Sequence, residues 1–271
     1  MKTFLNKRPI LLIITLAVSC LLDGGSIQNV AAQVKPKPTL SQLLLPKLPP
    51  RSNRTATNSK IQFLRPAIPP GTAPGGRRAG GGRRSSCATV NPKLTALIPV
   101  TEVAPNIQHV WGLTTVERPT FWFYMPYTKS NSYLTEFVLQ DQDANLVYTT
   151  NVALPEQPGI ISIAIPRNIP ALAVDQQYRW FLKVYCDGTK QSPPIYVEGV
   201  VRRVNLSPTV AQQLTRARPQ QQAAIYAENG VWFQVLGTLA ELHKNNPQDA
   251  AIQAAWKNLL TEVGLGEVAE K

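Results

Sequence analysis

Nine residues, Tyr178 to Cys186 (YRWFLKVYC), place the tightest limit on the fold. Tyr178, Trp180, Leu182, Val184 and Cys186 share one side of an extended chain, while Arg179, Lys183 and Tyr185 share the other with Phe181. A strand with one apolar face needs a second layer to cover that face. Similar short runs occur at 94–100 (LTALIPV), 120–127 (TFWFYMPY), 134–141 (LTEFVLQD), 145–152 (NLVYTTNV), 159–166 (GIISIAIP) and 195–204 (IYVEGVVRRV). Gln142-Asp143-Ala144 separates two of these runs as a hairpin link, and Gly199 reads as a bulge inside the last one. No long helical pattern lies among them, which argues against a parallel sheet built from β-α-β units. The expected fold over 87–205 is therefore an antiparallel, immunoglobulin-like β-sandwich.

After Asn205 the apolar period changes to that of helices. Ser207-Pro208 reads as an N-cap followed by proline at the first helical position, and Arg218-Pro219 restarts the helix. Asn229-Gly230 should end that second helix. Val231, Trp232, Val235, Leu236, Leu239 and Leu242 then form one stripe, and Ile252, Ala255, Trp256, Leu259, Leu260 and Val263 another. Asn246-Pro247 is expected to cap the last helix, with Asp249 in capping-box position, and Gly264 to stop it. Residues 206–265 thus read as a helical hairpin or three-helix segment packed on or beside the sandwich, with 266–271 as a tail.

The N-terminal part is different. Lys2, Lys7 and Arg8 precede an apolar run from Pro9 to Leu22, and Val30-Ala31-Ala32 offers a cleavage site before Gln33. This is the pattern of an export signal over 1–32, since the run is short for a membrane span. The alternatives are an uncleaved anchor and a lipoprotein acylated at Cys20. Residues 33–86 are rich in proline and small polar residues and read as a disordered tether, with a leucine-rich segment at 40–50. They carry eleven Lys and Arg and no acid, whereas 87–271 hold fourteen basic and fifteen acidic residues. The basic excess of the chain therefore lies in the tether. Arg77, Arg78, Arg83 and Arg84 are its candidates for contact with an anionic surface.

Cleavage would leave two cysteines, Cys87 and Cys186, and an even count in an oxidising compartment predicts that they pair. Zinc is disfavoured, because neither cysteine has a CxxC neighbour and the histidines are only His109 and His243. No catalytic or cofactor-binding residue is singled out. His243 falls at a helix C-terminus, where a cation suits the dipole. Asp141, Asp143 and Asn145 are weak candidates for a calcium-binding turn, and a solvated hairpin tip is the preferred reading of them. GGRRAGGGRR lies far ahead of any helix and is no phosphate loop.

GRRAGGGRRSSC, ERPTFWFYMPY, YRWFLKVYC, VEGVVRRV and YAENGVWFQVLGTLAEL together resemble the cyanobacterial secreted family catalogued as domain of unknown function 928, from about Gly75 to Leu265. The resemblance implies an exported protein of a photosynthetic bacterium, with no assigned activity and no catalytic residues to carry over. The favoured function is a binding or adaptor module of the cell envelope, in the periplasm or outside the cell. Its expected partner is an envelope protein or an anionic polymer or lipid surface, with no cofactor and no membrane span after cleavage. An envelope enzyme with a scattered site is the alternative. Nucleic-acid binding through the arginine–glycine stretch fits least, given export and a nearly neutral folded part.

Overall fold

The computed structural model describes residues 61–68, 75–81, 87–105 and 107–271. The expected export signal, Cys20, the leucine-rich segment, Arg83 and Arg84 lie outside the described residues. The protein is mostly β, with two sheets followed by four helices. β1 (Thr95–Ala96), β4 (Thr120–Met125) and β7 (Gly159–Ala164) form a three-stranded sheet in the order β1-β4-β7. The other sheet has six strands. It contains β2 (Val100–Ala104), β3 (Ile107–Thr114), β5 (Leu134–Gln140), β6 (Leu146–Asn151), β8 (Gln177–Tyr185) and β9 (Ile195–Arg203). Its order is β2-β3-β9-β8-β5-β6.

The alternation of β8 appears directly as packing. Tyr178, Trp180, Leu182 and Val184 are buried, and the intervening residues are half-buried. Phe121 and Phe123 of β4 meet Phe137 of β5 and Trp180 of β8, with ring centroids 4.9–6.4 Å apart. These rings join the two sheets, and tilted or edge-on contacts of this kind add to the burial of apolar area.

Several local expectations are corrected. Residues 94–100 do not make one strand: β1 and β2 belong to different sheets, and the chain crosses between them before Pro99. The sheet is not wholly antiparallel, because β3 runs parallel to β9 with Trp111 opposite Val200. A short hairpin forces its strands to run antiparallel, but β3 and β9 are joined by a long connection that leaves either direction open. Gly199 is not a bulge, since its register with Trp180 is regular. A Cβ there would lie 2.5 Å from the Trp180 ring, so Gly199 makes room for that side chain.

The C-terminal part has four helices rather than two or three: α1 (Pro208–Arg216), α2 (Pro219–Glu228), α3 (Trp232–Asn245) and α4 (Ala250–Glu262). The Ser207 side chain accepts from the Val210 amide as the expected N-cap. At α4 the cap is Asp249, whose Oδ1 accepts from Ala251 and Ile252, while Asn246 closes α3 through Leu242 O. Both tryptophan stripes are buried. The Trp232 indole donates to Leu97 O at 2.9 Å, and Gln234 bonds Thr114 Oγ1 and the Thr115 amide, tying α3 to the sheets.

The expectation of a continuous disordered tether to residue 86 is corrected for two segments. Ile61 and Phe63 are buried; Phe63 meets the Trp232 ring edge-on, and the Leu64 amide donates to Ala227 O. Residues 75–81 bridge both sheets. Gly75 bonds Gln108 O and the Val110 amide, Arg77 exchanges two backbone bonds with Glu198, and Arg78 O and Gly80 N pair with Ala96 and Leu94. Gly76 has φ +104°, and a Cβ there would lie 2.7 Å from Val110 Cβ, so this stretch needs glycine to lie against the sheet.

Candidate functional site: the outer face of the six-stranded sheet

The same alternation that buries Trp180 turns Arg179, Phe181, Lys183 and Tyr185 to the opposite face of β8. Register places Glu136 and Val138 of β5 beside Lys183 and Phe181, and Tyr196, Glu198 and Val200 of β9 beside Lys183, Phe181 and Arg179. The result is a half-exposed surface of aromatic rings interleaved with cations. Arg179 Cζ and Lys183 Nζ lie 5.7 and 5.5 Å from the Phe181 centroid, and Lys190 Nζ lies 5.3 Å from that of Tyr185. Cations this close to a ring face are held by its quadrupole.

Arg77 joins this surface, with its guanidinium 4.7 Å from the Tyr196 centroid. One arginine of the glycine-rich stretch thus belongs to a built face rather than to a free arm. Arg78 is committed elsewhere. Its guanidinium donates to Val263 O at 2.6 Å and Gly264 O at 3.1 Å, closing the C-terminus of α4. Burial, and then the neighbouring Arg65, lower its pKa from the ordinary value. Arg78 is therefore corrected from a surface contact to an internal clamp.

Carboxylates on the face only partly balance its cations. Glu136 is shared by Lys190 at 2.8 Å and Lys183 at 4.0 Å, and Glu198 pairs with Arg179 at 3.3 Å. The hydrogen bond to Glu136 raises the Lys190 pKa above its ordinary value. At one end of the sheet Arg202 meets Asp175 at 3.2 Å. A shallow cavity of about 230 Å³ opens there between Gln140, Asp141, Gln177, Arg179 and Phe181. Sequence reasoning assigned these β8 residues to an outer face but gave them no role. The signal was present in the alternation of cations with Phe181, while the contribution of Arg77 could not be read locally.

The other candidates fall into structural roles. Asp141 Oδ1 accepts from the Asp143 and Asn145 amides, and Oδ2 from Asn145 Nδ2, each at 2.9 Å. These bonds, the Asn145 side chain first, lower the Asp141 pKa. The Asp141 carboxylate thus forms the β5–β6 turn. His109 lies in β3, buried, and its Nδ1 has no partner among the described residues. His243 sits in the last turn of α3 and bonds Gln253. Among the described residues no cluster of His, Cys, Asp and Glu is suited to hold a metal ion, and no helix is long and apolar enough to cross a membrane.

Cys87 and Cys186 form a disulfide with Cα atoms 5.0 Å apart, fastening the end of β8 to the chain that enters β1. In the chain-entropy account a closed loop near 100 residues is worth about 4–5 kcal/mol. No curated protein and no solved structure matches the chain. A family model described as Domain of Unknown Function (DUF928) matches residues 78–271, which contain both sheets, all four helices and all of the outer face except Arg77, and the chain belongs to that family.

Proposed function

We propose that the protein is an exported binding or adaptor module of a cell envelope that holds an anionic envelope polymer on the outer face of its six-stranded sheet. The cation–aromatic surface carries this reading: Arg77, Arg179, Lys183 and Lys190 lie against three rings, and Glu136 and Glu198 leave part of that charge unbalanced. Guanidinium and ammonium groups pair with carboxylate, sulfate or phosphate, and the rings offer flat apolar area to a sugar or an acyl chain. The disulfide accords with an oxidising compartment. The immunoglobulin-like sandwich belongs to the same proposal. Its support is a three-stranded sheet β1-β4-β7 packed through aromatic side chains on the sheet β2-β3-β9-β8-β5-β6, with β3 parallel to β9.

The test is binding of the full chain to a polyuronate, alginate, with neutral dextran for comparison. Alginate should bind and dextran should not, and binding should fade with salt, because exposed charges are screened beyond about 10 Å at 0.1 M. Replacing Arg179 and Lys183 together by Gln should weaken alginate binding about tenfold, the equivalent of ~1.4 kcal/mol. Lys257→Gln, which breaks the remote pair with Glu270, should leave it unchanged. Equal weakening by both changes, or equal binding of dextran, would overturn the reading.

A further inference from the structure

We infer that the cleft between α3, α4 and the outer side of the three-stranded sheet binds a small amphiphilic organic anion, with its apolar body against Trp122 and Trp256 and its acid group at Lys244. The site is separate from the charged face of the larger sheet and does not depend on the reading of that face. The cleft holds about 500 Å³, and its walls include Trp122 of β4, Ile160 of β7, His243 and Lys244 of α3, and Gln253 and Trp256 of α4. That volume lies in the range of small-molecule sites, which combine apolar walls with a few placed polar groups.

The polar groups are held in defined roles. Gln253 Nε2 donates to Pro247 O at 2.9 Å, which turns Oε1 toward His243 Nε2 at 2.8 Å. A carbonyl oxygen only accepts, so His243 Nε2 carries the hydrogen, and Nδ1 of the neutral ring is an acceptor left for a donor group on the ligand. The imidazole also lies over Trp256, with centroids 5.3 Å apart and planes 34° from parallel, which fixes the ring. Lys244 makes no ion pair among the described residues, whereas Glu270 at the rim is neutralised by Lys257. Lys271 lies in the lining beside Glu270 and acts on its carboxylate. The C-terminal carbonyls of α3 would by themselves repel an anion, and the Lys244 ammonium in that turn offsets them. An unpaired cation beside a positioned imidazole, above two indoles, suits a molecule that is acidic at one end and apolar at the other.

The experiment uses 1-anilinonaphthalene-8-sulfonate as the anionic probe and N-phenyl-1-naphthylamine as its uncharged counterpart, each titrated into the full chain. The sulfonate should bind one saturable site about tenfold more tightly than the amine, as expected for one charge-assisted contact. Lys244→Gln should remove most of that difference by weakening the sulfonate alone. Ala269→Trp, on the half-buried lining, should fill the cleft and abolish both. In the unsubstituted chain the probe should shift the indole NMR signals of Trp122 and Trp256, a readout independent of how either variant folds. Unmoved indole signals, or sulfonate and amine binding equally with no response to Lys244→Gln, would overturn the proposal.

Discussion

The two faces of β8 come from one run of sequence and behave differently. On the inner face Trp180, Leu182 and Val184 are almost completely buried, and Trp180 meets two phenylalanines of the opposing sheet. On the outer face the Arg179 side chain keeps 43% of its exposure and Lys183 29%, and their partners are carboxylates and a ring. The inner residues are fixed by packing, where a change of one methylene is felt. Exposed pairs contribute between nothing and about 1 kcal/mol each. The outer face is therefore nearly free of the demands of folding, and its pattern of rings and cations calls for a functional account in a way the inner pattern does not.

Substitution of neighbouring residues should separate the faces. Trp180→Ala should destabilise by about 3–5 kcal/mol, the cost of emptying a large buried site, read as a lowered denaturation midpoint. Trp180→Phe should cost less, because the Trp180 indole N–H is buried without a partner among the described residues. Cys186→Ser, at the end of the same strand, should cost about 2–5 kcal/mol, and the reductant sensitivity of the parent protein should disappear with it. Arg78→Ala, which frees the Val263 and Gly264 carbonyls, should cost about 2 kcal/mol and raise amide exchange at the end of α4. Phe181→Ala on the outer face should cost under about 1 kcal/mol while weakening polymer binding. A loss as large as that of Trp180→Ala would erase the distinction between the faces.

The smallest effect concerns the β8–β9 turn. Asp187 accepts from the Thr189, Lys190 and Ser192 amides. These bonds, that of Thr189 first, hold its carboxyl well below the usual range. A carboxyl depressed in the folded state lends its stability in full above its unfolded value, about 3.9, and loses it as pH falls through the lower folded value. The Thr189 and Ser192 amide signals should accordingly stay constant from neutral pH down to about 4 and move only in stronger acid. Movement between pH 5 and 7 would break this assignment.

Local pattern made β8, β9 and the four-residue repeat of the helices legible, because each exposes its period within a dozen residues. β3 was hidden: His109 and Gly112 interrupt its alternation, and its partner β9 is distant in the chain. Ile61 and Phe63 read as scattered apolar residues because the helices that bury them come much later in the sequence. The glycines of GGRRAGG resembled a flexible linker for the same reason. What demands Gly76 is Val110, a neighbour in space only. The candidate face was half legible, with β8 supplying the alternation and Arg77 arriving from outside any local window.

The strap at 75–81 has a consequence for the order in which the protein can form. Its backbone bonds go to residues near 95, 109 and 198, and its Arg78 side chain reaches Val263 and Gly264. A segment ahead of the first strand thus finds partners 185 and 186 residues further along the sequence. Pairings this distant close large loops before any contact compensates for the lost chain entropy, and such topologies fold slowly. Arg78 has no carbonyls to clamp until the end of α4 has formed, so the strap is fully seated only after that helix packs. Until Arg77 pairs with Glu198, that edge of β9 is open to other strands, and this interval is when the chain is most exposed to mispairing.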